Sequence, residues 1–420
     1  MLHYILILIG ILCLQSCVVT KGVKYGNASI DDYTIFEQDT VYKGSFSYNF
    51  YEKQQRANLI DTLKFEIYRS KADTLLNLTL RETMDYVDVP SAAIVIQNDT
   101  ILFEHYSGGW NQDSQSCIFS VTKTITSLLC GVALKDGYIK SLSDPITDYI
   151  PELKDADPMF SQLKVEHLLD MIAGLKFNEN YSWNPFSKMA KLYFSNNTFK
   201  VLKSLKFINT PGENFSYDSA TTAILGLIIE RATGQSYAQY LSEKVWQPLG
   251  MERDALIGLD SKKYHTAKSF AGLTTNVKDL AKVGRLFLNN GCYNGKQIVD
   301  STFVQRCLST HTSGKEMRQY SYSWYWGISD EEDGVRKFFN TLEELEQHYK
   351  NNPEKNVCQL KKNLNNGYFA VLHNGGFWGL GLYGQVLYVN PSKNMIAVFL
   401  GADRLKDFNI LFDQLSTYLK

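Results

Sequence analysis

Strand-forming segments stand at both ends of this chain and helix-forming ones in the middle, and that order constrains the fold more than any other feature. Ala92–Gln97 (AAIVIQ), Asn98-Asp99 and Thr100–His105 predict a strand, a turn and a second strand, with Ile and Val supplying the β propensity. Gly108-Gly109 ends that hairpin. A helix is expected from Ser120, with Ile125, Leu128, Leu129 and Val132 at helical spacing. From Asp144 to about Tyr264 the pattern is helical with loops, including Val165–Ala173 and Ala220–Thr233, the latter capped by Gly234. Val277–Asn289 predicts another helix, and Tyr368–Leu372, Gln385–Asn390 and Met395–Gly401 predict strands. The expected architecture is an α/β unit built from residues 85–143 plus 265–420, with an all-α unit, 144–264, inserted between them. Ser329–Asn366, charged and poor in β-branched residues, reads as an insertion between sheet strands. Residues 34–80 carry no sharp signal, and no internal repeat is visible.

Composition bounds the function classes. Of 420 residues, 44% are hydrophobic and 21% charged, which excludes disorder or a coiled coil as the bulk architecture. The 43 Lys+Arg against 44 Asp+Glu, with no dense basic stretch, argue against a nucleic-acid partner. The seven Cys include no C-x-x-C, and the seven His are scattered without metal-ligand spacing, so no metal site is expected. Apart from Cys13 and Cys17, the five thiols Cys117, Cys130, Cys292, Cys307 and Cys358 are an odd number and read as buried free thiols.

Ser120-Val121-Thr122-Lys123 opens the helix after the hairpin. Ser and Lys three apart share one helix face. At the helix N-terminus, unpaired N–H groups and the positive dipole end favour a developing oxyanion beside the Ser oxygen. The amine can assist a neighbouring base or take the Ser proton itself. A second copy of the spacing, Ser161-Gln162-Leu163-Lys164, lacks a preceding strand pair and reads as a decoy. Tyr217-Asp218-Ser219, in a loop after Pro211-Gly212 and ahead of an apolar helix, supplies a candidate proton acceptor if a cation such as Lys123 stabilises the phenolate. Tyr68-Arg69-Ser70 and Tyr25-Gly26-Asn27 match equally loose patterns.

Joined in order and spacing, these pieces resemble the serine β-lactamase-like hydrolases. The branch holds class C β-lactamases, D-alanyl-D-alanine peptidases, related esterases and 6-aminohexanoate-oligomer hydrolases. Val165–Leu175 (VEHLLDMIAGL), Phe270–Thr275 (FAGLTT) with Asp279-Leu280-Ala281, Asp144-Pro145-Ile146 and Pro248-Leu249-Gly250-Met251 extend the likeness over roughly Asp85 to Asp403. The resemblance implies a β-lactamase/transpeptidase-like fold, an antiparallel sheet flanked by helices with an inserted helical subdomain, and no metal or organic cofactor. It implies Ser120 as acylated nucleophile and, through its N–H, one oxyanion donor, Lys123 as activating partner and Tyr217 as general base. Two registers are open for the third motif. His373-Asn374-Gly375-Gly376 would make Gly376 the second donor, whereas Gly379–Gln385, with Gly381 ahead of it, would make Leu382 the donor. The Gln385-to-Pro391 spacing favours the latter. Ser219 stands where β-lactamases and the peptidases usually carry Asn, and neither register offers a Lys; both departures favour an esterase or amidase over β-lactam hydrolysis. Tyr181, with Trp183 in the same aromatic loop, sits where the aminohexanoate branch places a substrate-contacting Tyr. The expected activity is acyl-enzyme hydrolysis of a small-molecule or peptide amide or ester. The alternatives are a D-alanyl-D-alanine peptidase or β-lactamase, and a catalytically weak cell-envelope binding protein.

The N-terminus reads MLHYILILIGILCLQSC. Its apolar run is shorter than the roughly 20 residues that span a bilayer but suits a signal peptide over residues 1–16. Leu14-Gln15-Ser16-Cys17 resembles a bacterial lipobox, which implies lipidation at Cys17, a membrane partner through that lipid, and residence in the cell envelope on the periplasmic or outer-membrane side. The n-region, with no Lys or Arg, departs from the usual pattern. Residues 17–84 would then be a tether and N-terminal extension, extended from Val18 to about Tyr33.

Overall fold

The computed structural model describes residues 17–52, 59–67, 76–181, 184, 186–315, 318–329, 331–332, 335–353, 355–363, 367–402 and 408–419. Met1–Ser16, which carry most of the leader reading, lie outside them, as does Trp183.

The elements that matter for the site are α1 (Cys17–Tyr25), β1 (Ser91–Gln97), β2 (Thr100–Ser107), α2 (Val121–Lys135), α3 (Val165–Leu169), α4 (Lys188–Phe194), α5 (Ser219–Thr233), α6 (Val277–Leu288), β3 (Trp324–Ser329), α7 (Leu342–Lys350), β4 (Val357–Asn363), β5 (Gly367–Leu380), β6 (Val386–Asn390), β7 (Met395–Gly401) and α8 (Phe408–Tyr418). The central sheet runs Tyr320–Ser321, β3, β5, β6, β7, β1, β2, with Tyr51–Glu52 added in parallel at the β2 edge; all other pairings in it are antiparallel. Strands from the two chain ends meet at its centre, Ser91 opposite Gly401 and Gln97 opposite Met395.

Both faces of this sheet are covered. Ile94 and Ile96 of β1 join Leu387, Val389, Ile396 and Val398 in a core beneath α6. The alternate residues Ala93 and Val95 join Tyr388, Ala397 and Phe399 beneath α8. A strand buried on both faces needs apolar residues at every position rather than alternate ones, which is why AAIVIQ shows no period of two. A four-stranded second sheet, Gln38–Val41, Ala255–Gly258, Leu273–Thr275 and Ser116–Cys117, leads into the N-terminus of α2. Helices α2 and α5 pack on each other, and α5 also rests on α3.

The structure departs from three expectations. Residues after Cys17 are not extended: Val18, Gly22 and Tyr25 lie at i, i+4, i+7, so α1 has one face that packs against α4 and the core. The 329–366 region is more than an insertion, because β4 pairs with β5 and extends the central sheet, while α7 packs on β5. Among the thiols, Cys117, Cys130 and Cys307 are buried, but Cys292 is half-buried and Cys358 exposed; all five are free. Burial pushes the Cys117 and Cys130 thiols up to about 12, so both are inert as nucleophiles at neutral pH.

The start of α6 is held by charge. Lys282 is fully buried, and its Nζ donates to Gly250 O at 3.0 Å, Glu252 Oε1 at 3.0 Å and Asp279 Oδ1 at 3.1 Å. Asp279 in turn accepts from the Glu252 and Arg253 N–H groups and from Asn276 Nδ2. Removing one member of a buried pair leaves the other uncompensated. Lys282→Ala is therefore expected to lower unfolding stability by about 3–5 kcal/mol, measured by urea denaturation; a change under about 1 kcal/mol would contradict the role given to this ion pair.

Candidate active site

The nucleophile candidate sits on a sharp turn. Phe119 takes φ 44°, a left-handed conformation unusual for a bulky residue, between the short strand Ser116–Cys117 and α2. The turn leaves Ser120 at the N-cap of α2, without a side-chain capping bond. Its N–H makes no backbone hydrogen bond among the described residues. Ser161 and Lys164, which repeat the spacing, do not share a helix: a 3₁₀ turn ends at Gln162, and Lys164 precedes α3.

Lys123 lies one turn into α2 and is 1% exposed. Its Nζ donates to Ser120 Oγ at 3.0 Å, Ser219 Oγ at 3.0 Å and the Phe270 carbonyl at 2.9 Å. Burial lowers the amine from its ordinary value to about 8, while the negative fields of Glu179 and Asp218 oppose that fall. The amine thus titrates within reach of neutral pH and in contact with the Ser120 hydroxyl.

Ser219 opens α5 and joins Lys123 to a residue that sequence reasoning missed. The Ser219 hydroxyl donates to Glu179 Oε1 at 2.6 Å, and its N–H donates to Glu179 Oε2 at 2.8 Å. The Tyr181 hydroxyl donates to the same Oε1 at 2.5 Å and also lies against the Ser120 side chain. Asp218 N-caps α5 through the Thr221 N–H at 2.7 Å, and burial pushes its carboxyl up to about 7. Nothing in the spacing of Glu179 marks it among the acidic residues; its proximity to Tyr181 was the one available hint.

Tyr217 stands beside Lys123. Lys123 Nζ lies 5.0 Å from the centroid of its ring, a cation–π contact, and no hydrogen bond joins Tyr217 to Ser120 or Lys123 among the described residues. Its ring stands beside Tyr320 and Tyr325, 6.3 and 6.2 Å between centroids. Burial, reinforced by the neighbouring phenols and Glu179, drives its hydroxyl well above the ordinary phenol value. The phenol is therefore protonated at neutral pH. Tyr217 also lines a second cavity of about 370 Å³ with Arg318, Trp326 and Trp378.

The two registers of the third motif fall in different places. Leu382 and Tyr383 line a cavity of about 450 Å³ together with Ser120, Tyr181 and Ser219. The chain reaches it by close approach: a Cβ at Gly379 would stand 2.6 Å from Thr124 Oγ1, and one at Gly381 2.5 Å from the Ile118 carbonyl. His373 and Gly376 lie farther back in β5. The His373 ring packs on Trp326 and Phe377, and its Nε2 pairs with the Gly376 carbonyl at 3.1 Å; a Cβ at Gly376 would overlap the Tyr388 ring. Among the described residues, no group of three His, Cys, Asp or Glu could hold a metal ion, and no helix is long and apolar enough to cross a membrane.

Comparison with known proteins gives the family and the fold. A family model described as Beta-lactamase matches residues 76–408. The 6-aminohexanoate-dimer hydrolase of Paenarthrobacter ureafaciens is 31% identical over 229 residues, 52% of this chain and 57% of that relative, so the match spans little more than half of its length. Among solved structures, a Bacillus anthracis protein named for 6-aminohexanoate-dimer hydrolase superposes with a TM-score of 0.69 at 22% identity, covering 94% of this chain and 92% of that one. A class C β-lactamase gives 0.54 at 15% identity, over 80% and 94%. The sheet flanked by helices is thus the β-lactamase/transpeptidase-like fold, and with most of its length matched by the family model, this chain belongs to the β-lactamase family.

Proposed function

We propose that the protein is a serine hydrolase that cleaves an amide or ester through an acyl-enzyme on Ser120. The observation that carries this reading is the buried Lys123 amine, 3.0 Å from Ser120 Oγ and lowered to about 8. In its neutral form the amine accepts the Ser120 proton as Oγ attacks the substrate carbonyl. The Ser120 N–H and the Leu382 N–H, the latter at the start of the 3₁₀ turn Leu382–Gly384, hold the oxyanion. The protonated Tyr217 phenol is suited to donate to the departing nitrogen or oxygen, a role opposite in sign to that of general base. Water then attacks the acyl group, and the same groups run in reverse. The relative named for 6-aminohexanoate-dimer hydrolysis supports an amide as one substrate class.

We also propose that Cys17 bears the lipid anchor and that the enzyme resides in the cell envelope. Metabolic labelling with an alkyne fatty acid is expected to tag the wild type and not Cys17→Ser; equal labelling would refute the anchor.

The nucleophile is tested with a fluorophosphonate probe. Wild type should be labelled and Ser120→Ala should not; labelling of both to the same extent overturns the assignment. Tyr217→Phe is expected to lower kcat about 10²–10⁴-fold while keeping the pH dependence that belongs to Lys123.

That dependence has a definite sign. The amine accepts a proton only when neutral, so kcat/KM rises as pH passes upward through about 8. Glu179 raises the Lys123 value, so Glu179→Gln removes an opposing field and moves the rising limb to lower pH. A shift toward higher pH in the Glu179→Gln rate profile would contradict this electrostatic assignment.

A further inference from the structure

The cavity beside Ser120 has a wall supplied by the N-terminal segment. Gly22, Gly26, Asn27 and Ala28 line it together with Leu382 and Tyr383. The wall is pinned from three sides. The Cys117 N–H, just ahead of the nucleophile, donates to the Ile30 carbonyl at 2.9 Å. The Tyr383 hydroxyl donates to the Ala28 carbonyl. The Tyr193 hydroxyl, on α4, donates to the buried Asp32 carboxylate at 2.6 Å. Each pin therefore comes from an element that itself forms or adjoins the cavity.

The chemistry of the lining is one-sided. Phe119, Met189, Tyr193, Phe194, Ala271 and Leu382 give it an apolar interior. Its polar groups are neutral, the amides of Asn27, Asn180 and Asn184 and the hydroxyls of serine and tyrosine side chains, and no Lys, Arg, His, Asp or Glu lines the cavity among the described residues. The charges behind the lining are already engaged: Lys123 and Glu179 are joined through Ser219, Asp32 accepts from the Tyr193 hydroxyl, and Lys268 donates to the Tyr193 carbonyl. A charged substrate group entering here would lose water without gaining a side chain of opposite charge, whereas an alkyl or aryl group would gain burial.

We propose that this cavity takes an uncharged, apolar acyl group, and that the segment from Gly22 to Ile30 is a specificity-determining wall of it. The proposal rests on the reading of Ser120 as nucleophile, but the binding preference is measurable without turnover. Three acyl groups of equal length separate the possibilities: hexanoyl, adipoyl with a terminal carboxylate, and 6-aminohexanoyl with a terminal ammonium.

In Ser120→Ala, isothermal titration calorimetry with the three anilides is expected to show hexananilide binding at least tenfold tighter than either charged analogue. Affinities within threefold of one another, or tighter binding of a charged anilide, would overturn the proposal. Asn27→Arg, a change at an exposed position of the wall, should improve adipic monoanilide relative to hexananilide by at least fivefold. An unchanged ratio would remove the segment from the specificity role. Hydrolysis of p-nitrophenyl hexanoate by wild type and Ser120→Ala is compared separately. Equal rates there would sink the nucleophile assignment while leaving the binding order to decide the pocket.

Discussion

One buried amine organises the site. Lys123 brings a cation out of water, and its three hydrogen bonds reach Ser120, Ser219 and the Phe270 carbonyl. These acceptors belong to three segments far apart in sequence, so the contact that solvates the amine also fixes α2, α5 and the strand entry at Phe270 against one another. A buried ammonium without such partners would be strongly unfavourable. With them it persists at a lowered pKa, which is the condition for a base that works near neutral pH. Structure and chemistry are here consequences of the same desolvation.

Around that amine the backbone is pressed close. The left-handed Phe119 delivers Ser120 to the end of α2, and Gly379 and Gly381 let β5 and the chain after it pass within contact of Thr124 and Ile118. Side chains at those glycines would push Leu382 away from the cavity it shares with Ser120. The apolar burial of β1 on both faces gives the sheet the rigidity to hold such an approach.

Features set by local spacing were legible before the fold was known. Ser120 and Lys123 follow from an i, i+3 relation on a helix, Ser219 from its place ahead of an apolar helix, and the strand order from runs of branched residues at the two chain ends. Features set by long-range packing were not. Glu179 reaches Ser219 across 40 residues through a loop with no periodic pattern. The face that Tyr217 turns to Lys123 depends on Tyr320 and Tyr325, about a hundred residues onward. The α1 segment was misread because its few apolar positions look too sparse for burial, until α4 supplies a matching surface.

The pairing of β1 with β7 carries a consequence for the order of assembly. Ser91 must wait for Gly401, so the central ladder of the main sheet closes only when nearly the whole chain is available. Until then β1 and β2 are a hairpin with one apolar edge unpaired, the kind of surface that recruits other strands. Contacts between such distant partners are slow to form, because a long loop has to be closed before any bond rewards it. The cavity that Leu382 shares with Ser120 needs the chain after β5 beside the N-terminus of α2, so it too waits on the C-terminal part of the chain.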